Sequence, residues 1–202
     1  MDEEKTKGQQ EKPNEGQDKD KKKQKAKYIF NCTKCGQCCE KKDYVLITTQ
    51  DLLKWSQDGV LNSVFSFLEF EMAKEPIADQ PYFQLKMIKE EGGCPMYDAE
   101  NKTCKIYHSM PIDCQSFPLG YNGSQYYIRD KTCPGLGNGT MTKEALIRDR
   151  DNAKKDFAAK IETFTILPLV YSLFMKQMLK QQEQFMKDMP EDKRKQLEEL
   201  PV

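Results

Sequence analysis

The chain has a single histidine, a single tryptophan and no excess charge of either sign, with 32 Lys and Arg against 32 Asp and Glu. The charge balance gives no electrostatic case for nucleic acid or an anionic membrane. One histidine beside eight cysteines points to all-sulfur metal ligation rather than a mixed Cys/His site. No nucleotide-binding glycine motif, P-loop, nucleophile elbow or HExxH occurs. Long apolar runs are also missing. The uncharged run Thr163 to Met175 is shorter than the ~20 residues that a membrane span needs, so no transmembrane segment is expected. The N-terminus has no apolar h-region, so no signal peptide is expected either. That places the chain in a reducing cytoplasm, where cysteines serve as metal ligands or catalytic groups more often than as disulfides.

The cysteines are what is there. Cys32-Thr33-Lys34-Cys35-Gly36-Gln37-Cys38-Cys39 packs four thiols into eight residues. Thiolates are the preferred ligands of zinc, cuprous copper and iron–sulfur clusters. A C-x-x-C pair turns tightly and aims both sulfurs at one centre, and Gly36 permits a positive φ there. The doublet Cys38-Cys39 is different. Neighbouring side chains diverge, so the two sulfurs suit different atoms of a cluster, or two centres, better than one small ion. Cys94, Cys104, Cys114 and Cys133 complete the set. Cys94 precedes Pro95 and Cys133 precedes Pro134, and a Cys-Pro pair at a turn recurs at iron–sulfur sites. Cys94 also suits simple packing if one cluster takes the other C-terminal thiols, since free Cys behaves as a small hydrophobe. Ligand softness, the doublet and the Cys-Pro pairs favour an iron–sulfur cluster, with 4Fe-4S as the first expectation. Zinc in two four-cysteine sites stays open.

Four regions are expected. Residues 1–27 mix Lys, Glu, Asp, Gln and Gly and read as a disordered charged tail. Residues 28–140 form the cysteine-cluster domain. Within it Tyr44–Thr48 and Phe83–Met87 read as strands, and Thr48 or Thr49 caps a helix from about Gln50 to Gly59 with Trp55 in the core. Val64–Met72 fits neither period. Pro76 and Pro81 break the chain after it. Asn101-Lys102 closes a hairpin, and Tyr126–Arg129 is strand-like. Residues 141–189 are helical, capped by Thr142, with a break or kink at Pro168. Phe157, Ile161, Phe164, Leu167, Tyr171, Phe174, Met178 and Phe185 make one apolar stripe, read as a helical pair packed on the cysteine domain. Its methionines alternatively suit a partner helix, so an unidentified protein partner is the interaction to expect. Residues 190–202 read as a frayed tail. The fold class is therefore α+β: a small metal-centred domain of short strands and loops, plus C-terminal helices. Tyr107, Tyr121, Tyr126 and Tyr127 are available to hydrogen-bond ligand sulfurs. His108 reads as an exposed loop residue or a ligand. Nothing singles out Asp43, Asp113 or Asp130.

The ordered pattern Cys32-x2-Cys35-Gly36-x-Cys38-Cys39, Cys94-Pro95, Cys104-x-Ile106-Tyr107-x3-Pro111-x2-Cys114-x2-Phe117-Pro118 and Cys133-Pro134-Gly135 resembles the YkgJ-type cysteine-cluster family, the CxxCxxCC domain. The resemblance spans about Tyr28 to Gly137. It implies a zinc or iron centre held by these cysteines. It also implies a link to protein lysine N-methylation, because a flagellin lysine methylase carries a similar domain. The chain has Met110 and Gln115 where similar proteins usually have arginines. Three functions are consistent with this: a metal-centre protein for redox, metal handling or partner binding; an enzyme or enzyme subunit tied to lysine methylation; and a purely structural zinc module.

Overall fold

The computed structural model describes residues 28–73, 82–88 and 93–190, together with Lys193. The tail expected over 1–27, the breaks at Pro76 and Pro81, and nearly all of the tail 190–202 lie outside these residues. In chain order the elements are α1 (Gln37–Glu40), β1 (Tyr44–Ile47), α2 (Thr49–Gln57), α3 (Leu61–Val64), β2 (Leu68–Met72), β3 (Phe83–Ile88), β4 (Tyr97–Asp98), β5 (Thr103–Cys104), α4 (Ile112–Ser116), β6 (Leu119–Tyr121), β7 (Tyr126–Ile128) and α5 (Lys143–Asp188). Single 3-10 turns occupy Phe65–Phe67 and Tyr107–Ser109. Short strands in small sheets beside helices make the fold α+β. The stretch that fits neither period resolves into the end of α3, a 3-10 turn and β2.

The sheet holds the core. β3 lies between β1 and β2, antiparallel to both. Its inner face carries Val45, Ile47 and Met87, which close against Trp55 of α2 and Val64 of α3. Thr48 starts α2 with a reciprocal cap: its hydroxyl accepts from the Asp51 N–H while the Asp51 carboxylate accepts from the Thr48 N–H. The other Asp51 oxygen accepts the Ile112 N–H at 2.9 Å. Trp55 Nε1 donates to the Ser109 carbonyl at 2.6 Å. Through these two bonds the first turns of α2 fix the loop that leads into α4. β4 with β5, and β6 with β7, are separate two-stranded hairpins.

The C-terminal half departs from expectation. There is no helical pair: α5 is one helix of 46 residues with Pro168 inside it. Proline removes one ladder bond and crowds the preceding turn, yet the helix continues unbroken through it, with rings of the domain packed on both sides. Phe164 lies 4.5 Å from the Tyr82 ring, and Tyr171 lies 4.9 Å from Phe83 and 5.9 Å from Phe70. The apolar stripe packs on the domain only over its first part. Phe174, Met178 and Phe185 are 60%, 47% and 65% exposed. By length and composition α5 also meets the requirement for crossing a membrane. Its most apolar 18-residue window has mean hydropathy 1.3, and 11% of that window is buried. The uncharged run alone understated this, because the window tolerates two charges.

Candidate metal centre

Each cysteine is placed by a backbone device that the local sequence explains. Gly36 has φ 78°, and from it α1 begins, with the Cys39 N–H donating to the Gly36 carbonyl at 2.7 Å. A Cβ at Gly36 would stand 1.8 Å from the Tyr97 hydroxyl oxygen, so only glycine fits. The Cys94 N–H donates to the Cys39 carbonyl at 2.6 Å, which brings the second cysteine segment onto the first. Gly93, at φ 77°, makes that approach. Cys104 pairs with Tyr97 across the β4–β5 hairpin. Cys114 lies in α4. Cys133 comes in from the other side: Phe30 bridges Leu136, and the Asn31 N–H donates to the Gly135 carbonyl at 3.0 Å.

All eight thiols are free, and Cys32 is the exposed one. Cys38 lies at the centre of the rest. Its sulfur is 4.0 Å from that of Cys39. Its charge is felt at Cys39, Cys104, Cys114 and Cys133, while Cys39 is also within electrostatic reach of Cys94, and Cys133 of Cys35. These seven thiols therefore lie in one region of the domain. The doublet diverges less than adjacency suggests. A separation of 4.0 Å is close to the ~3.8 Å edge of a thiolate tetrahedron with ~2.3 Å metal–sulfur bonds. Among the described residues no three Cys, His, Asp or Glu side chains converge on one point as ligands.

The chemistry of the set is that of thiolates in waiting. The Cys39 thiol hydrogen-bonds the Cys38 sulfur, which brings Cys38 down to about 6 and drives Cys39 up. Burial pushes Cys114 up to about 12, with Lys42 pulling the other way. Burial also raises Cys94, Cys104 and Cys133. Each of these three is eased by a backbone N–H two residues on, from Met96, Ile106 and Gly135 in turn. A buried thiol costs least when it is ionised onto a metal, and N–H donors of this kind orient and stabilise the ligand. The Tyr97 hydroxyl points into the same region. It is sealed from solvent, and Glu40 is the first charged group that acts on it, with Cys39 and Cys35 also near. Seven soft donors and the close approach permitted by Gly36 and Gly93 fit a metal–thiolate centre.

A buried ion cluster backs the thiols. Asp113, next to Cys114, takes Lys42 at 2.8 Å, Arg129 at 2.7 Å and Lys160 at 2.7 Å. Lys160 also reaches Asp156 at 2.8 Å. Burial alone would raise the Asp113 carboxyl, but Lys42, Lys160 and Arg129 together hold it well below the usual carboxylate range. Lys42 feels Cys114, and so does Arg129. The cluster thus sets cationic charge beside the thiols and ties them to α5.

A family model matches residues 31–134, over half of the chain, and is described as a "putative zinc- or iron-chelating domain", CxxCxxCC. The chain belongs to the CxxCxxCC family. The match gives it a metal-binding role, with zinc or iron as the metal. No solved structure matches the chain. The matched range takes in all eight cysteines of this CxxCxxCC chain. His108 is exposed, and its carbonyl accepts from Lys54. Of the tyrosines expected near sulfur, Tyr121 donates to the Gly123 carbonyl, while Tyr107 and Tyr127 are exposed. Tyr97 takes their place. It was missed because its position depends on the β4–β5 hairpin meeting Gly36. Lys42, Asp113, Arg129, Asp156 and Lys160 were missed because they come from four separated segments.

Proposed function

We propose that Cys35, Cys38, Cys39, Cys94, Cys104, Cys114 and Cys133 hold a polynuclear iron–sulfur centre, with Cys32 as the outermost thiol of the set. The observation that supports this reading is the Cys38–Cys39 pair, its sulfurs 4.0 Å apart, onto which the Cys94 segment is hydrogen-bonded through the Cys39 carbonyl. A 4Fe-4S cluster and a tetrahedral zinc each take four cysteines, so the reading rests on ligand softness and on the Cys94-Pro95 and Cys133-Pro134 turns rather than on the number of thiols. A 4Fe-4S cluster is the form proposed first. When bound, such a centre supplies one-electron redox chemistry. This chain's own residues do the rest. Backbone N–H groups of Met96, Ile106 and Gly135 orient three sulfurs, the Lys42–Arg129–Lys160 cluster offsets thiolate charge, and Tyr97 offers a hydroxyl to the centre. The reading goes with a reducing cytoplasm, where free thiols persist.

The test is anaerobic purification followed by a visible spectrum and counts of iron, sulfide and zinc. Broad absorption near ~400 nm with matched iron and sulfide supports the cluster. A colourless protein with stoichiometric zinc overturns the iron–sulfur reading and leaves a thiolate zinc centre in a binding module.

A further inference from the structure

Along α5, Phe157, Phe164, Tyr171, Met178 and Phe185 recur every seven residues. Such a repeat lays a continuous apolar seam along one side of a helix. The domain occupies the first three positions. Phe157 meets Tyr121 edge to face at 5.7 Å, Phe164 meets Tyr82, and Tyr171 lies against Phe70 and Phe83. Beyond Tyr171 the seam runs on without the domain. Met178 and Phe185 line an open groove with Phe174, Met175, Gln181 and Gln182, and none of these is charged. At 3.6 residues per turn, Lys176, Lys180, Glu183 and Lys187 all fall on the opposite side.

We propose that this seam is the interface of an antiparallel, two-fold dimer of the chain, with Met178 at the axis. The repeat is self-complementary about that residue. Phe185 of one copy then lies over Tyr171 of the other, seven residues to either side. There it reaches Phe70 and Met72, exposed on the edge strand β2, so the seam's contact with the domain continues into the second copy. An isologous contact of this kind needs no other partner. Tyr171, Phe174, Met175, Met178 and Phe185 of the helix, with Phe70 and Met72, are about half exposed, and at ~200 Å² for a large side chain they offer roughly 700 Å² per copy. A stable interface buries ~800 Å² per partner. A bilayer fits the seam less well. The window apolar enough to span holds Thr163, Phe164 and Tyr171 against the domain. The free stretch beyond it is charged along one whole side.

Sedimentation equilibrium of the full-length chain tests this. The wild type is expected at twice the chain mass. Because Met178 faces itself, Met178→Glu and Met178→Lys are each expected to be monomeric, and mixing them restores the doubled mass. Leu169→Lys, on the opposite side of the helix, is expected to leave the dimer intact. Far-UV circular dichroism verifies that each variant keeps its helix. A monomeric wild type, or a Glu/Lys mixture that stays monomeric, overturns the proposal. So does co-flotation of a monomeric wild type with phosphatidylcholine vesicles, which would assign the seam to lipid.

Discussion

Replacing Asp113 by Asn should be among the most damaging single polar changes in the domain. The carboxylate is 9% exposed and faces three cations at 2.7–2.8 Å. Removing one partner from a buried ion pair typically costs roughly 3–5 kcal/mol, because the other charge stays buried and uncompensated. Arg129 and Lys160 retain contact with Asp156, at 3.5 and 2.8 Å, so their loss is partial. Lys42 loses the carboxylate it pairs with. The low end, about 3 kcal/mol, is therefore expected, and for a protein of this size that lowers Tm by roughly 10 °C. The assay is thermal unfolding followed at 222 nm, with Lys160→Met and the double variant completing a cycle. Non-additivity of at least ~0.5 kcal/mol is expected for residues in contact. The pH dependence has a definite sign. The folded-state value of Asp113 lies below its unfolded value of ~3.9, so its contribution is fully present above that pH and is lost as pH falls further. The gap between wild type and Asp113→Asn should stay constant from pH 5 to 8 and narrow only in stronger acid, as worked from linkage. An Asn variant within ~0.5 kcal/mol of wild type at pH 7 would refute the reasoning, since that is the range of an ordinary surface change.

Three further outcomes are expected. Gly36→Ala should destabilise by ~2 kcal/mol or more from its positive φ and the contact with Tyr97, and should lower metal content measured by plasma emission. Cys38→Ser should abolish metal binding, whereas Cys32→Ser, at the exposed end, should keep most of it; equal retention in the two would sink the placement of Cys38 at the centre. Pro168→Ala should stabilise by about 1–3 kcal/mol with unchanged helicity, because α5 already runs through that position. A loss of stability in urea titration would show that the proline is needed where it is.

Local signals were legible in the sequence, and distant ones were not. Thr48 and Thr142 announce helix starts by side-chain chemistry alone, and both cap as expected. The Tyr44 and Phe83 strands, the Asn101-Lys102 turn and the buried Trp55 follow from propensity and pattern. The family was readable because its cysteine spacings are unusual together. The break expected at Pro168 does not occur, because the penalty it carries is local, while rings from β2, β3 and the residue before β3 pack on either side of it. Asp113 looked ordinary because its value lies in Lys42, Arg129 and Lys160, which are 71, 16 and 47 residues away. No periodicity reports such a meeting.

Two different forces hold the two sides of this domain. The sheet, α2 and α3 close over Val45, Ile47, Trp55, Val64 and Met87, an apolar core that stands without any ion. The cysteine loops contribute only Met96 and Ile106 to that core. Their regular structure is a four-residue helix, a five-residue helix and a hairpin of two-residue strands, all too short to persist alone. Ordering each loop residue costs on the order of 1–2 kcal/mol. Cys94, Cys104 and Cys114 lean on the core from one side, and the Asp113 cluster fixes Cys114 to α5 from the other. Metal binding contributes folding free energy to segments of this kind, since their ligands are held together only in the folded chain. Loss of the metal should loosen the 32–39 and Cys133 segments first and leave the sheet with α2 standing, because Met96 and Ile106 hold the Cys94 and Cys104 segments in the same core as the sheet.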